Sequence, residues 1–177
     1  MNVGILDIGG NTASVWYAVE RIGHKAVIVS DTTRIDALIV PGQGRFDVAA
    51  VRLNEKIRQA IKEFRGTVIG ICLGMQLMFD ASDEGTGAGL GVFPGKCTVF
   101  NGNMHVGWSR CSDNNYYYFV HSYQIPFVSQ PFATKTCQYG KDLFIAECKK
   151  NNFIGFQFHP EKSGKAGEEA LRQCLLL

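Results

Sequence analysis

The chain has 177 residues, of which 46% are hydrophobic and 19% are charged, and its formal net charge is +2. This length suits one compact domain, 1–177, with a sizeable core, and the composition excludes a charge-rich disordered chain. The apolar runs are too short to cross a bilayer and the basic residues are scattered, so we expect neither a membrane nor a nucleic-acid partner. The low net charge fits a small neutral or zwitterionic substrate.

The cysteine pattern and the N-terminus bear on the compartment. None of the six cysteines forms a CxxC pair. Reduced thiols are therefore expected; three disulfides are less favoured, and a zinc site less still, because paired ligands at finger spacing are missing. The segment 1–7 lacks the basic and long apolar parts of a secretion signal, so we expect a cytoplasmic protein.

Short apolar runs alternate with helical patterns through the first half, which predicts an α/β domain. A strand is predicted at 3–6, followed by a glycine turn at 7–11 and a helix from about Thr12 to Gly23. Further strands are predicted at 26–29, 37–40 and 67–71, with an amphipathic helix at 51–64. Such continuously apolar strands suit a mostly parallel sheet covered by helices on both faces.

The second half has a different pattern. After a glycine-rich stretch at 85–95, strands are predicted at 92–93, 116–120, 144–147 and 153–158, several of them antiparallel. A closing helix is predicted at 164–177, where one face carries Ala170, Leu171, Cys174 and Leu175.

Cys72 stands at a predicted strand-to-helix turn. The segment Gly70-Ile71-Cys72-Leu73-Gly74 follows the strand 67–71 and precedes a helical run at 76–79. Glycines on both sides allow the sharp turn of a nucleophile elbow, and a thiol at a helix N-terminus is favoured as thiolate. The alternative is a small buried hydrophobe, which we accept for the other cysteines.

A base and its orienting carboxylate follow near the C-terminus. In Phe158-His159-Pro160-Glu161, the proline holds His159 extended, and residues i and i+2 of an extended chain point to the same side. His159 and Glu161 are therefore the candidate partners of Cys72 in a catalytic triad. Standing alone, this segment would be interpreted as a surface turn.

Acyl transfer also needs donors for an oxyanion. Pro41-Gly42-Gln43-Gly44 follows the strand 37–40 and can present backbone N–H groups of Gln43 and Gly44 beside that of Leu73. A plain glycine turn is the simpler interpretation of this loop.

Together, GxCxGMQ, FHPE and PGQG resemble the triad class, class I, of glutamine amidotransferases. Within that class, the segments Phe119-Val120-His121-Ser122-Tyr123 and His105-Val106-Gly107-Trp108, with Gly9-Gly10-Asn11, resemble the glutaminase subunits of imidazole glycerol phosphate synthase. This resemblance covers nearly the whole chain. It implies a flavodoxin-like three-layer α/β sandwich with a central, mostly parallel sheet and additional antiparallel strands.

The resemblance also implies an activity and a site. Cys72 would form a glutamyl thioester, with His159 moving the proton and Glu161 orienting the imidazole. The substrate glutamine would be held by Gln76, Glu84, His121, Ser122 and Tyr123. Glu84 has the simpler interpretation of a solvated loop carboxylate. No cofactor and no metal are implied, and the ammonia would pass to a (β/α)8-barrel cyclase partner in a heterodimer.

Departures from the family pattern concern the partner more than the chemistry. The first glycine loop lacks the residue that the family usually has between Gly9 and Gly10. Val106 and Ser109 stand where a methionine and an asparagine are usual. Arg45 stands where the family pattern PGxGAF has alanine. The partner could therefore be a paralogous synthase that aminates a sugar nucleotide. The sequence also leaves room for a self-sufficient cysteine hydrolase or a catalytically silent relative, although the intact triad argues against a silent protein.

Overall fold

The computed structural model describes residues 1–102 and 104–176. The strands of this part are β1 (Asn2–Leu6), β2 (Lys25–Val29), β3 (Ala37–Val40), β4 (Thr67–Ile71), β5 (Ala81–Ser82), β6 (Lys96–Val99), β7 (His105–Arg110), β8 (Tyr116–His121), β9 (Tyr123–Gln124), β10 (Ala133–Tyr139), β11 (Asp142–Lys150) and β12 (Phe153–Phe156). Its helices are α1 (Thr12–Arg21), α2 (Phe46–Arg52), α3 (Glu55–Glu63), α4 (Leu73–Gln76) and α5 (Gly164–Leu175).

The central sheet has the strand order β10-β11-β12-β4-β3-β1-β2. From β12 to β2 the neighbours are parallel, whereas β10, β11 and β12 pair antiparallel. The predicted mostly parallel α/β sheet with added antiparallel strands is therefore confirmed. Strand β12 is the junction, because it pairs with β4 on its parallel side and with β11 on its antiparallel side.

Alternate residues of the parallel strands enter two separate cores. Val3 and Ile39 face the core that contains residues of α1 and α5, whereas Leu6 and Leu38 face the core that contains residues of α2 and α3. Because successive strand side chains point to opposite faces, strands covered on both faces are apolar at every position. This explains the continuous apolar runs in the sequence.

The helix predicted at 51–64 is helical over most of its length but is not one helix, because α2 ends and α3 begins inside it. Helix α2 ends at Arg52, and Asn54 starts α3 by accepting a hydrogen bond from the N–H of Ile57 at 3.0 Å. Asparagine is a strong N-cap because its side-chain oxygen satisfies an otherwise unpaired N–H group. The amphipathic spacing is real, but a cap interrupts it.

The predicted strand at 92–93 is also wrong. The N–H groups of Val92 and Phe93 both donate to the carbonyl oxygen of Met78, so this irregular segment packs on the turn after α4 instead of joining a sheet. Phe93 is fully buried and stacks on Phe79 with 5.3 Å between ring centroids. These residues are apolar because they fill the core, and the strand of this region, β6, begins only at Lys96.

Strands β7 and β8 form a two-stranded sheet outside the central one. The predicted strand at 116–120 lies in β8, but its partner β7 was not predicted. The strand predicted at 144–147 lies inside the longer β11, and that predicted at 153–158 ends at Phe156. The closing helix runs over Gly164–Leu175, and Leu177 lies outside the described residues.

Two further expectations concern cysteines and membranes. All six cysteines are buried free thiols. Within residues 1–102 and 104–176, none of the helices has the length and apolar character needed to cross a bilayer.

Candidate active site

Cys72 lies at the sharp turn that leads from β4 into α4. Its backbone has φ 52° and ψ −108°, a region that residues with a side chain rarely adopt. Its N–H donates to the carbonyl oxygen of Phe156 at 2.7 Å, which ties the turn to β12. The predicted elbow is therefore present. The helix after it is only four residues long, Leu73–Gln76, so the helical run expected at 76–79 is replaced by a turn.

The glycines around Cys72 are required by close backbone approach. A Cβ on Gly74 would overlap the carbonyl oxygen of Val40, and one on Gly70 would lie 2.7 Å from the carbonyl carbon of Gly74. Real Cβ atoms do not come this close to backbone atoms without displacing them. The elbow therefore packs directly against the end of β3.

The loop Pro41-Gly42-Gln43-Gly44 lies against the residue that follows the nucleophile. A Cβ on Gly42 would be 2.6 Å from the Cβ of Leu73 and 2.7 Å from the nitrogen of Gly74. Gly44 has φ +97°, which favours glycine. The structure thus brings together the loops that carry the N–H groups of Gln43, Gly44 and Leu73, as the sequence predicted.

His159 and Glu161 form a buried pair. Nδ1 of His159 lies 2.8 Å from Oε1 of Glu161, and the two side chains are only 2% and 1% exposed. His159 is extended, with φ −96° and ψ 97°, as expected before a proline. Glu161, in contrast, lies in a 3-10 turn at Pro160–Lys162, so this turn brings it to the histidine. The expected extended i, i+2 arrangement is wrong in this detail.

The surroundings of His159 favour its protonated form. Burial disfavours the imidazolium, but the nearby Cys72 sulfur and the Glu161 carboxylate outweigh burial and raise the pKa of His159 to about 10. The other ring nitrogen, Nε2, is buried without a hydrogen-bond partner among the described residues. Such a histidine is a proton donor at neutral pH, and it faces the candidate nucleophile.

A cavity of about 370 Å³ opens over Cys72. This volume lies within the usual range for small-ligand sites. Cys72 and all eight residues predicted for the oxyanion hole and for substrate binding line it: Gln43, Gly44, Leu73, Gln76, Glu84, His121, Ser122 and Tyr123. Met104, Val120 and Lys162 complete the lining and were not predicted. His159 and Glu161 line a small adjoining crevice that shares Gln43 with the cavity.

Gln76 is anchored below this cavity by its amide nitrogen. Nε2 donates to the carbonyl oxygen of Tyr123 at 3.0 Å and to Oε1 of Gln157 at 3.2 Å. Both N–H groups of the amide are thus used, which leaves its oxygen as the group that a ligand can reach. The sequence motifs do not indicate Gln157, although it lies two residues before His159.

Glu84 reaches the cavity from the glycine-rich segment. Its Oε2 accepts a hydrogen bond from the N–H of Phe46 at 2.8 Å, at the first residue of α2. Its carbonyl oxygen accepts from Nη2 of Arg45 at 3.2 Å. These two hydrogen bonds hold Glu84 in place where it lines the cavity, so it is not a freely solvated carboxylate.

His121 is a neutral part of the cavity wall. Burial lowers the pKa of His121 to about 3, even though the hydrogen bond from Nδ1 to the carbonyl oxygen of Tyr123, 2.8 Å long, favours the charged form. His105 lies opposite His121 on the paired strand, stacks on Tyr139, and has its pKa lowered to about 4 by burial. Neither histidine carries a charge at neutral pH.

An apolar strip covers the outer face of the β7–β8 hairpin beside the cavity. Val106 and Trp108 are exposed, Trp108 by 55%, and they lie opposite Val120 and Tyr118. The Trp108 and Tyr118 rings pack edge to face, with centroids 6.0 Å apart. In the described part of the chain, His, Cys, Asp and Glu form no group of three or more that could hold a metal ion.

Comparison with known proteins agrees with this geometry. The family model for class-I glutamine amidotransferases matches residues 5–176. The imidazole glycerol phosphate synthase subunit HisH of Staphylococcus aureus strain Mu50 is 41% identical over 186 residues, covering 97% of this chain and 95% of that protein. The subunit of the same name from Prochlorococcus marinus subsp. pastoris is 36% identical over 199 residues, covering 98% and 97%.

Solved structures support the fold at lower sequence identity. A glutamine amidotransferase crystal structure superposes with a TM-score of 0.80 at 18% identity, covering 98% of this chain and 97% of that chain. A chain of PurLQS from Thermotoga maritima superposes with a TM-score of 0.76 at 18% identity, covering 99% and 97%. The chain therefore belongs to the class I glutamine amidotransferases, which are glutamine-hydrolysing enzymes, and within them to the HisH subunits of imidazole glycerol phosphate synthase.

Proposed function

We propose that this chain, as one glutaminase domain over 1–177, hydrolyses glutamine through Cys72, His159 and Glu161 and supplies ammonia for histidine biosynthesis in the cytoplasm. One observation carries the proposal: Cys72 lines the cavity at its elbow, and the buried His159–Glu161 pair lines the crevice that adjoins this cavity. A thiol, a base and an orienting carboxylate are the parts that nucleophilic acyl transfer needs.

The reaction begins with attack of the Cys72 thiolate on the side-chain amide carbon of glutamine. As the C–N bond breaks, protonated His159 gives its proton to the departing nitrogen, which leaves as ammonia. Water then attacks the thioester, His159 accepts a proton from that water, and glutamate leaves as the sulfur is released. Glu161 keeps Nδ1 oriented and stabilises the imidazolium through both half-reactions.

The tetrahedral intermediates need donors for their oxyanion. The N–H of Leu73 follows the nucleophile directly, and the Gln43–Gly44 loop packs against it through Gly42. Preorganised backbone donors stabilise developing charge without reorganisation during the reaction. We assign the oxyanion hole to Leu73 together with Gln43 and Gly44.

Substrate glutamine fits the remaining walls of the cavity. The free oxygen of Gln76 and the carboxylate of Glu84 suit the α-ammonium group, because both are acceptors. His121, Ser122 and Tyr123 close the opposite wall without adding charge there. The cavity therefore suits a free zwitterionic amino acid better than a peptide.

The apolar strip of Val106, Trp108 and Tyr118 is the proposed docking surface for a (β/α)8-barrel cyclase subunit. Val106 and Trp108 are exposed, Tyr118 is half-buried beside them, and aromatic anchors are typical of protein interfaces. The subunit names of the S. aureus and P. marinus relatives support this assignment.

The test is glutamate release from glutamine by the purified chain, alone and with the cyclase subunit of the same cell and its ribonucleotide substrate. Weak activity alone with strong stimulation by the cyclase is expected, together with loss of activity in Cys72→Ala. Trp108→Ala is expected to weaken stimulation while iodoacetamide still alkylates Cys72. Wild-type glutamate release by Cys72→Ala would overturn the mechanism. Absent stimulation with Cys72 still reactive would refute the cyclase and leave a sugar-nucleotide synthase as the partner.

A further inference from the structure

Gln157 is a buried amide that the sequence motifs did not single out. It follows β12 and is 0% exposed, and its neighbours Phe156 and Phe158 are both fully buried in the core. Placing an amide in such surroundings is costly unless its polar atoms are hydrogen-bonded. The partners of Gln157 therefore indicate why a polar side chain occupies this position.

The side chain of Gln157 connects the nucleophile with the wall of the cavity. Its Nε2 lies 3.8 Å from the sulfur of Cys72, within range of the longer hydrogen bonds that sulfur accepts. Its Oε1 accepts a hydrogen bond from Nε2 of Gln76 at 3.2 Å, and Gln76 also donates to the carbonyl oxygen of Tyr123. One amide thus contacts both the reacting atom and a proposed substrate-binding residue.

Besides the His159 imidazole, the Cys72 sulfur has two neighbours that serve different protonation states of the thiol. The carbonyl oxygen of Val120, at 3.8 Å, can accept a hydrogen bond from the thiol but can give none to a thiolate. Gln157 supplies a side-chain N–H at 3.8 Å from the sulfur, and the nearby His159 imidazolium adds its positive charge. Loss of the thiol proton therefore breaks the contact with Val120 and strengthens that with Gln157, because hydrogen bonds to charged groups are stronger.

We propose that Gln157 is a positioning residue for glutamine hydrolysis: its N–H group holds the Cys72 sulfur in place, and its oxygen orients Gln76. This inference rests on the proposed role of Cys72 as nucleophile. The two bonds of the amide have separable consequences, since one concerns attack on the substrate and the other concerns substrate binding.

Two substitutions separate these bonds. Gln157→Glu keeps the shape and an oxygen that accepts from Gln76, but it presents a carboxylate oxygen to the sulfur where the amide presents N–H. We expect kcat for glutaminase activity of the complex to fall about tenfold or more, with KM for glutamine changed less than about threefold. Gln157→Met removes both bonds, so kcat should fall and KM should rise. Gln138→Glu, on the exposed side of β10, is the matched control and should behave as wild type.

The rate of Cys72 alkylation by iodoacetamide gives a second readout that needs neither glutamine nor partner. It should fall in both Gln157 variants while thermal unfolding still shows a folded protein. If Gln157→Glu fails to fold, Gln157→Met alone decides. Alkylation and kcat within about twofold of wild type in a folded variant would overturn the inference, and so would a change confined to KM. Activity surviving in Cys72→Ala would instead refute the proposed function, which keeps the two failures distinct.

Discussion

Oε1 of Glu161 lies 2.8 Å from Nδ1 of His159, and neither side chain is more than 2% exposed. In this pair a carboxylate holds an imidazole away from solvent and favours its charged form. Burial acts in the opposite direction, but the Cys72 sulfur and Glu161 together raise the pKa of His159 to about 10. The pair therefore sets the pH range over which the proton donor is available.

Glu161→Gln should lower both the activity and the upper pH limit of activity. Without the carboxylate the imidazolium is less stable, so the alkaline limb of kcat/KM should move from near pH 10 toward lower pH. We expect kcat/KM at pH 8 to fall at least tenfold. A pH profile of glutamate release by the complex measures both effects, with Glu169→Gln at an exposed position of α5 as the control. An unchanged alkaline limb would contradict the assigned role of Glu161.

Gly74→Ala should destabilise the protein, because the added methyl group would overlap the carbonyl oxygen of Val40. Backbone atoms cannot rotate away as a side chain does, so we expect a loss of about 3 kcal/mol in the free energy of unfolding. Gly102→Ala is the matched control: a Cβ there meets no atom within 4 Å. Urea unfolding at pH 7.5 compares them, and equal stability of the two variants would contradict the packing described for the elbow.

Arg58 joins helix α3 to two other segments. Its guanidinium donates to the carbonyl oxygens of Leu53, Ala50, Ala88 and Gly89 at 2.6 to 2.9 Å. Arg58→Met keeps most of the apolar stem but removes these donors, so the free energy of unfolding should fall by about 2 kcal/mol. Lys62→Met, on an exposed position of the same helix, should change it by less than about 0.5 kcal/mol. Thermal and urea unfolding measure the difference, and a similar loss in both variants would argue against the bridging role.

Acid should destabilise the fold through its buried neutral histidines. Burial lowers the pKa of His105 from 6.5 to about 4 and that of His121 to about 3. Between these values and pH 6.5 the unfolded chain binds protons that the folded chain does not, so stability falls as the pH is lowered. His159 acts in the opposite window: its contribution is complete below pH 6.5 and is lost as the pH rises toward about 10.

His105→Phe tests this acid sensitivity, because phenylalanine can keep the stacking on Tyr139 without titrating. The loss of stability between pH 7 and pH 4 should be smaller than in wild type by about 3 kcal/mol. His24→Phe is the comparison, since His24 is less buried and burial lowers its pKa less. Urea unfolding at both pH values gives the slopes; a wild-type slope in His105→Phe would refute the role of this histidine.

Sequence patterns predict the structure well where local chemistry decides it. The parallel strands and the elbow at Cys72 follow from apolar runs and glycine spacing. The cap at Asn54 is also present in the sequence, but the amphipathic spacing around it conceals the break. Residues 92–93 resemble a strand in sequence, because a buried aromatic side chain gives the same apolar pattern in an irregular segment as in a sheet.

Other features depend on contacts between distant segments, which no local pattern reveals. In the sequence, Gln157 is a polar residue between two phenylalanines with nothing to mark it. Its contacts are with Cys72 and Gln76, which lie 85 and 81 residues away in sequence. Strand β7 was missed for a similar reason, since its glycine and its alternation of buried and exposed residues make sense only against β8. The preference for extended backbone before a proline predicts the conformation of His159 correctly, but it does not predict the 3-10 turn that carries Glu161.

The parallel pairing of β12 with β4 fixes the positions at which the catalytic segments leave the sheet. Phe156 is in register with Ile71, and Cys72, the residue after Ile71, donates its N–H to the carbonyl oxygen of Phe156. The nucleophile and the segment that leads to His159 therefore leave the sheet at the same end of two neighbouring parallel strands. A slip of one residue would turn every side chain of β12 to the opposite face. Main-chain hydrogen bonds between these two strands therefore fix where the nucleophile leaves the sheet relative to the segment that leads to His159.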